Sequence, residues 1–141
     1  MPSALSIKTA FSGFAVPDLE AAKTFYRDTL GFAVRDEMEG ILRITLPGGT
    51  EVMVYDKPDH QPAVFTILNF EVDDIDMAVD ALTEAGVKFE RYEGFEHDDK
   101  GIVRTMGGEE GPPIAWFTDP AGNILAIMQT EAPLVTRTTI A

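Results

Sequence analysis

The spacing of apolar residues changes period several times along the chain, and each change predicts an element. Over residues 8–16 apolar side chains alternate, with Phe14 and Val16 on one side and Phe11, Gly13 and Ala15 on the other, which is the period of a strand. From Asp18 the spacing becomes three and four: Leu19, Ala22, Phe25, Tyr26 and Leu30 line one face of a helix. Asp18 is placed to cap its start and Gly31 to end it. Alternation returns over 32–37, 41–46 and 51–55, with turns at Gly40 and Pro47-Gly48-Gly49. The polar, proline-bearing stretch 56–62 reads as a link between two units rather than a domain boundary.

The same order follows the link. A strand is predicted over 64–72, and a helix over 74–85 with Ile75, Ala78, Val79 and Leu82 inward and Gly86 as its stop. Strands follow over 87–92, 113–118 and 124–129. The last two flank Asp119-Pro120-Ala121-Gly122-Asn123, where proline and aspartate open a tight turn and Gly122 and Asn123 both tolerate the positive φ that closes one. Residues 93–112, with glycines at 94, 101, 107, 108 and 111, form a long loop of the kind used as a lid or left disordered. The threonine-rich residues 134–141 read as a loose tail or a packing arm.

The two halves are copies of one unit. Val16-Pro17-Asp18-Leu19-Glu20-Ala21-Ala22 aligns with Val72-Asp73-Asp74-Ile75-Asp76-Met77-Ala78, and Gly31-Phe32 with Gly86-Val87 after a slip of one residue. Pro47-Gly48-Gly49-Thr50 stands where Pro120-Ala121-Gly122-Asn123 stands later. An ordered series of matches marks a duplicated strand–helix–strand–strand–strand unit, about 8–56 and 63–130. Each copy alone would leave one sheet face bare, so the pair is expected to fold as one domain.

Composition narrows the partners. The 141 residues are 45% hydrophobic, enough for a core, and contain no cysteine, which removes disulfides and thiolate chemistry and fits a reducing, cytoplasmic setting. A net charge of −13 repels phosphate backbones and anionic membranes, so neither nucleic acid nor a membrane is an expected partner. No apolar run is long enough to span a bilayer, and Met1-Pro2-Ser3-Ala4 lacks the basic-then-apolar pattern of a signal peptide.

The tandem units, the helix end Phe25-Tyr26-Arg27-Asp28-Thr29-Leu30-Gly31, the helix start Val72-Asp73-Asp74-Ile75 and the Asp119–Asn123 turn together resemble the vicinal oxygen chelate superfamily, the group of glyoxalase I, extradiol dioxygenases and bleomycin-resistance proteins. The resemblance covers about residues 8–130. It implies an α+β fold of tandem βαβββ units whose curled mixed sheets enclose a cavity with the helices outside. It also implies one divalent metal in the enzymes, none in the antibiotic-binding members, and homodimers. The family's ligand positions fall on Phe11, Met53, Ile67 and Ala126, none of which offers a metal a good donor. Glu51 and Asn69 lie near two of them and could rescue one position after a one-residue slip, but not all four. The expectation is therefore no metal and no cofactor. Of the two histidines, His60 falls in the link, and His97 before Asp98-Asp99 marks either a surface cation site or an acidic solvated loop.

If the ligand positions face the cavity, so do residues two away. That assigns Phe11, Gly13 and Ala15, then Met53 and Tyr55, to the lining from the first unit. Ile67, Asn69 and Glu71, then Ala126 and Met128, follow from the second. By the repeat, Arg43 and Thr45 correspond to Trp116 and Thr118, and these too face in. The opposite faces (Phe14, Val16, Val52, Val54, Leu68, Phe70, Leu125, Ile127) are uniformly apolar, as a helix-covered face must be. Such a lining suits a small-molecule pocket; alternatively Phe11, Met53, Ile67 and Trp116 simply fill the interior. Arg43 and Glu71 would need each other, water or a ligand as partner.

Three functions compete. The first is a metal-free binder of a small, largely apolar or aromatic compound. The second is a metal-independent isomerase- or lyase-type enzyme with Glu71 as base and Tyr55 or Arg43 steadying negative charge. The third, a metal-dependent lyase or dioxygenase, requires a different register.

Overall fold

The computed structural model describes residues 5–104 and 111–130. Gly107 and Gly108 of the long loop, residues 1–4 and the tail lie outside the described residues. The chain divides into two compact units between His60 and Gln61, within the predicted link.

Unit one is a four-stranded mixed sheet and a helix. Its strands are β1 (Ser12–Val16), β2 (Ala33–Met38), β3 (Ile41–Thr45) and β4 (Glu51–Asp56), in the order β1-β4-β3-β2. β1 runs parallel to β4, and the other pairs are antiparallel. The predicted strand from residue 8 begins only at Ser12; residues 8–11 run ahead of the ladder. Helix α1 (Leu19–Thr24) starts where Asp18 accepts the Ala21 N–H at 3.1 Å. It ends in a π-helical turn, Phe25–Thr29, in which Leu30 N–H reaches back to the Phe25 carbonyl at 3.0 Å. Ala22 and Tyr26 are buried from this helix, and the Tyr26 ring lies 5.8 Å from Phe14. Val16, Leu42, Ile44, Val52 and Val54 share that face and are buried with them.

Unit two repeats the plan with β5 (Thr66–Val72), α2 (Ile75–Glu84), β6 (Ile114–Thr118) and β7 (Ile124–Gln129). The sheet order is β5-β7-β6, with β5 parallel and β6 antiparallel to β7. Asp74 caps α2 through the Met77 N–H at 3.1 Å, and its φ and ψ of −139° and 101° match the −138° and 101° of Asp18. The duplicated sequence therefore gives duplicated backbone. Ile75 and Val79 of α2 are buried, as are Leu125, Ile127, Ala115 and Phe117. Gln129 ties α2 to the sheet by accepting the Ile75 N–H at 3.0 Å.

Two expectations need correction. The predicted strand 87–92 is not a continuous strand: it makes a single bridge, Phe89 opposite Phe117, and the next bridge to β6 is Val103 opposite Ile114. Three positions along β6 thus correspond to fourteen along the chain, so eleven residues loop out of an interrupted edge strand. At the Asp119–Asn123 turn only Gly122 uses positive φ, at 87°; Asn123 does not. Its side chain instead binds the turn aspartate. Asp119 accepts the Ala121 and Asn123 N–H groups on one carboxylate oxygen and the Asn123 side-chain amide on the other, and both residues are buried.

Candidate functional site

Each sheet has one face covered by its helix and one face that is not, and the predicted site residues fall on the second. In unit one, Gly13, Met53 and Arg43 lie side by side across β1, β4 and β3, with Ala15 beside Tyr55 and Thr45 beside Glu51 in neighbouring rows. Ala15 is buried and Gly13 exposed. A Cβ added at Gly13 would lie 3.2 Å from the Met53 carbonyl, a tight approach, and 3.5 Å from its methyl carbon. Tyr55 and Phe11 remain exposed, Phe11 at 48%.

Arg43 is the polar centre of this face. Its side chain is only 14% exposed, and it forks onto Glu37 with Nε to Oε2 at 2.9 Å and Nη2 to Oε1 at 3.0 Å. Glu51 lies 3.6 Å from its other nitrogen, and Arg43's guanidinium carbon stands 4.1 Å from the centre of the Phe11 ring. Glu51 is shared: it accepts from Arg35 at 2.8 Å and from Thr45 at 3.3 Å. The Arg35 hydrogen bond is the main reason its carboxyl is held below the usual carboxylate range. Arg35 stands directly opposite Arg43, so Glu37, two residues further along β2, shares its face and meets it on the diagonal.

In unit two, Asn69, Ala126 and Trp116 form the equivalent row, with Glu71 beside Met128 and Thr118 beside Ile124. Ala126 and Trp116 are buried; Asn69 and Glu71 are exposed on the edge strand, and Ile67, Thr118 and Met128 lie between. A bulge in β5 between Thr66 and Leu68 brings Thr66 opposite Ile124, where its hydroxyl accepts the Trp116 indole N–H at 3.1 Å.

The looped-out residues supply what the sequence reading lacked. Tyr92 and Phe95 each bring a ring to 5.5 Å from Trp116, and the His97 ring lies at 6.4 Å. Val103, Ile114, Trp116 and Ala126 form a buried cluster with Tyr92, Ile124 and Met128 packed on it. His97 is structural: Nε2 accepts the Tyr92 N–H at 2.9 Å, so the neutral ring carries its proton on Nδ1 and donates to the Gly101 carbonyl at 2.9 Å. Asp98 is equally committed, accepting the Lys100 and Ile102 N–H groups and Arg104. Burial pushes the Asp98 carboxyl up, but the Ile102 and Arg104 hydrogen bonds outweigh it, and the net direction is down. The Tyr92 hydroxyl is pushed up, by burial first and then by Glu90.

Among the described residues no three His, Cys, Asp or Glu side chains converge as a metal site. The positions that the resemblance assigns to metal ligands, Phe11, Met53, Ile67 and Ala126, carry a phenyl ring, a thioether, a branched alkyl group and a methyl group, which do not fit a hard or borderline cation.

The chain belongs to the Glyoxalase/Bleomycin resistance protein/Dioxygenase superfamily, whose model matches residues 9–127. Solved structures agree in fold. TnmS3, an antibiotic binding protein from Streptomyces sp. CB03234, is 26% identical with a TM-score of 0.61, over 88% of this chain and 98% of that one. A superfamily member from Sphaerobacter thermophilus DSM 20745 is 25% identical with a TM-score of 0.62, over 86% and 98%. An integron cassette protein from the Halifax Harbour sewage metagenome shares the fold at 20% identity and a TM-score of 0.63, over 88% of this chain and 100% of that one. None of the curated proteins compared matches the chain. Among the described residues, no helix is long and apolar enough to cross a membrane.

Proposed function

We propose that the protein is a metal-free binder of small, largely apolar or aromatic compounds, held against the helix-free sheet faces. The observation that carries this reading is the chemistry of those faces. Phenyl, thioether and alkyl side chains stand at the ligand positions that the resemblance assigns, and partly exposed aromatics (Phe11, Tyr55, Phe95) lie among a few polar groups. The ligand contacts are Phe11, Gly13, Arg43, Met53 and Tyr55 in unit one. In unit two they are Ile67, Asn69, Glu71, Trp116, Thr118, Ala126 and Met128. That a structurally similar protein is an antibiotic binding protein supports small-molecule binding. An acid–base role for Glu71 has no comparable support, since that carboxylate is exposed on an edge strand rather than held in a water-poor recess. The protein acts in the cytoplasm as a homodimer; light scattering at low micromolar concentration should give twice 15.4 kDa, and a single-chain mass would count against pairing.

Metal content tests the reading. Protein purified without added metal should contain far less than one zinc, nickel, iron or manganese per chain. A stoichiometric, chelator-removable ion would overturn it.

A further inference from the structure

The looped-out residues that cover Trp116 are held very unevenly. Their far end is core. Ile102 and Val103 are fully buried, and Val103 exchanges two backbone hydrogen bonds with Ile114, at 2.8 and 3.0 Å. Gly101 sits at φ +96°, where a Cβ would lie 3.0 Å from Phe89. Their near end is different. Among the described residues, Glu93, Gly94, Phe95 and Glu96 make no hydrogen bond, and Gly94 has open space around it at φ +93°. Two things hold this short flap. One is the His97 ring, bonded to Tyr92 on one side and Gly101 on the other. The other is the Phe95 ring, tilted 40° over Trp116 and 41% exposed while the indole beneath is 7% exposed.

We infer that Phe95 is a displaceable cover. It occupies the face of Trp116 that a planar ligand takes, and the flap 93–96 swings between Tyr92 and His97 to admit that ligand. This rests on the reading of Trp116 as a ligand contact. A compound reaching the indole must displace an aromatic ring already packed against it, so its apparent affinity is reduced to the fraction of time the flap is open. Phe95 is in this way a specificity-determining residue: it selects flat aromatic compounds over small aliphatic ones. His97 is a positioning residue for the flap.

Trp116 is the chain's one tryptophan, so acrylamide quenching of its emission reads the cover with no ligand present. Phe95→Ala should raise the quenching constant about twofold or more, with Phe95→Leu between it and the parent and cooperative unfolding kept in both. An unchanged constant in both variants, or loss of cooperative folding in Phe95→Leu, would overturn the inference, the latter because it would make Phe95 core. Fluorescence polarisation of proflavine, a flat aromatic dye, supplies the ligand arm: Phe95→Ala should bind it more tightly than the parent chain. Equal binding to both would contradict displacement. Raised quenching with no binding to either would leave the movable cover standing and remove the planar-ligand reading of Trp116.

Discussion

One backbone plan appears twice in this chain, and equivalent positions have been given opposite chemistry. Arg43 sits beside Met53, and Trp116 sits beside Ala126, in matching rows of matching sheets. In unit one the fourth strand of the sheet, β2, pairs along its length with one irregularity, and the guanidinium is satisfied by carboxylates on the helix-free face. In unit two the corresponding strand is interrupted after Phe89, and the released residues fold back over an indole. Helix, caps and strand pairing are kept in both. A duplicated scaffold therefore tolerates wide change on the face its helix does not cover, because that face is not needed to bury the helix.

The comparison can be broken at several strengths. Trp116→Ala should cost about 3–5 kcal/mol, since it empties a buried cluster, whereas Arg43→Ala should cost about 1–2 kcal/mol, mostly the loss of a forked ion pair. Equal costs by urea unfolding would mean that the two faces are packed alike. Gly101→Ala should cost about 1–3 kcal/mol, because its positive φ and the nearby Phe89 side chain leave no room for a methyl group.

A smaller effect comes from Tyr92. Its hydroxyl is raised above the ordinary 10.0, so the folded state holds the proton more tightly than the unfolded state. Its contribution is fully present below pH 10 and is lost as pH rises through the folded value. Thermal melts between pH 9 and about 11.5 should fall less steeply for Tyr92→Phe than for the parent. An identical fall would place Tyr92 outside the cluster.

The smallest effect is electrostatic. Asp76 is held below its ordinary 3.8, first by its hydrogen bond from Arg104 and then by Lys100. That contribution is present above pH 3.8 and lost as pH falls through the lower folded value. Asp76→Asn should flatten the acid limb of a stability–pH curve slightly, and salt should shrink the difference.

The legible part of the sequence was whatever local chemistry dictates. Asp18 and Asp74 before helical periodicity, and glycine at each turn, are short-range signals, and both helices begin where those signals put them. Face parity was legible because an apolar stripe must meet a helix, as Val52, Val54, Leu125 and Ile127 do. The partners of individual side chains were not. Glu37 reaches Arg43 across a β2–β3 register that the sequence does not set, and Thr66 reaches Trp116 through a bulge that no alternation rule predicts. Residues 87–92 have strand-like composition, but they bridge β6 only at Phe89, and the edge is taken up again at Val103, which is buried with Ile102. Phe95 carries no signal in the sequence, and His97 reads there as a cation site or part of an acidic loop; only the fold-back brings both to Trp116.

The central claim, that the helix-free face around Trp116 takes a flat small molecule without metal, is tested most directly by titrating Trp116 emission with a panel of planar aromatic compounds in the presence of EDTA. A saturable change is expected for at least one compound, weakened by Glu71→Ala while the fold is kept. No response across the panel, or a response that appears only when a divalent metal replaces the chelator, would contradict it.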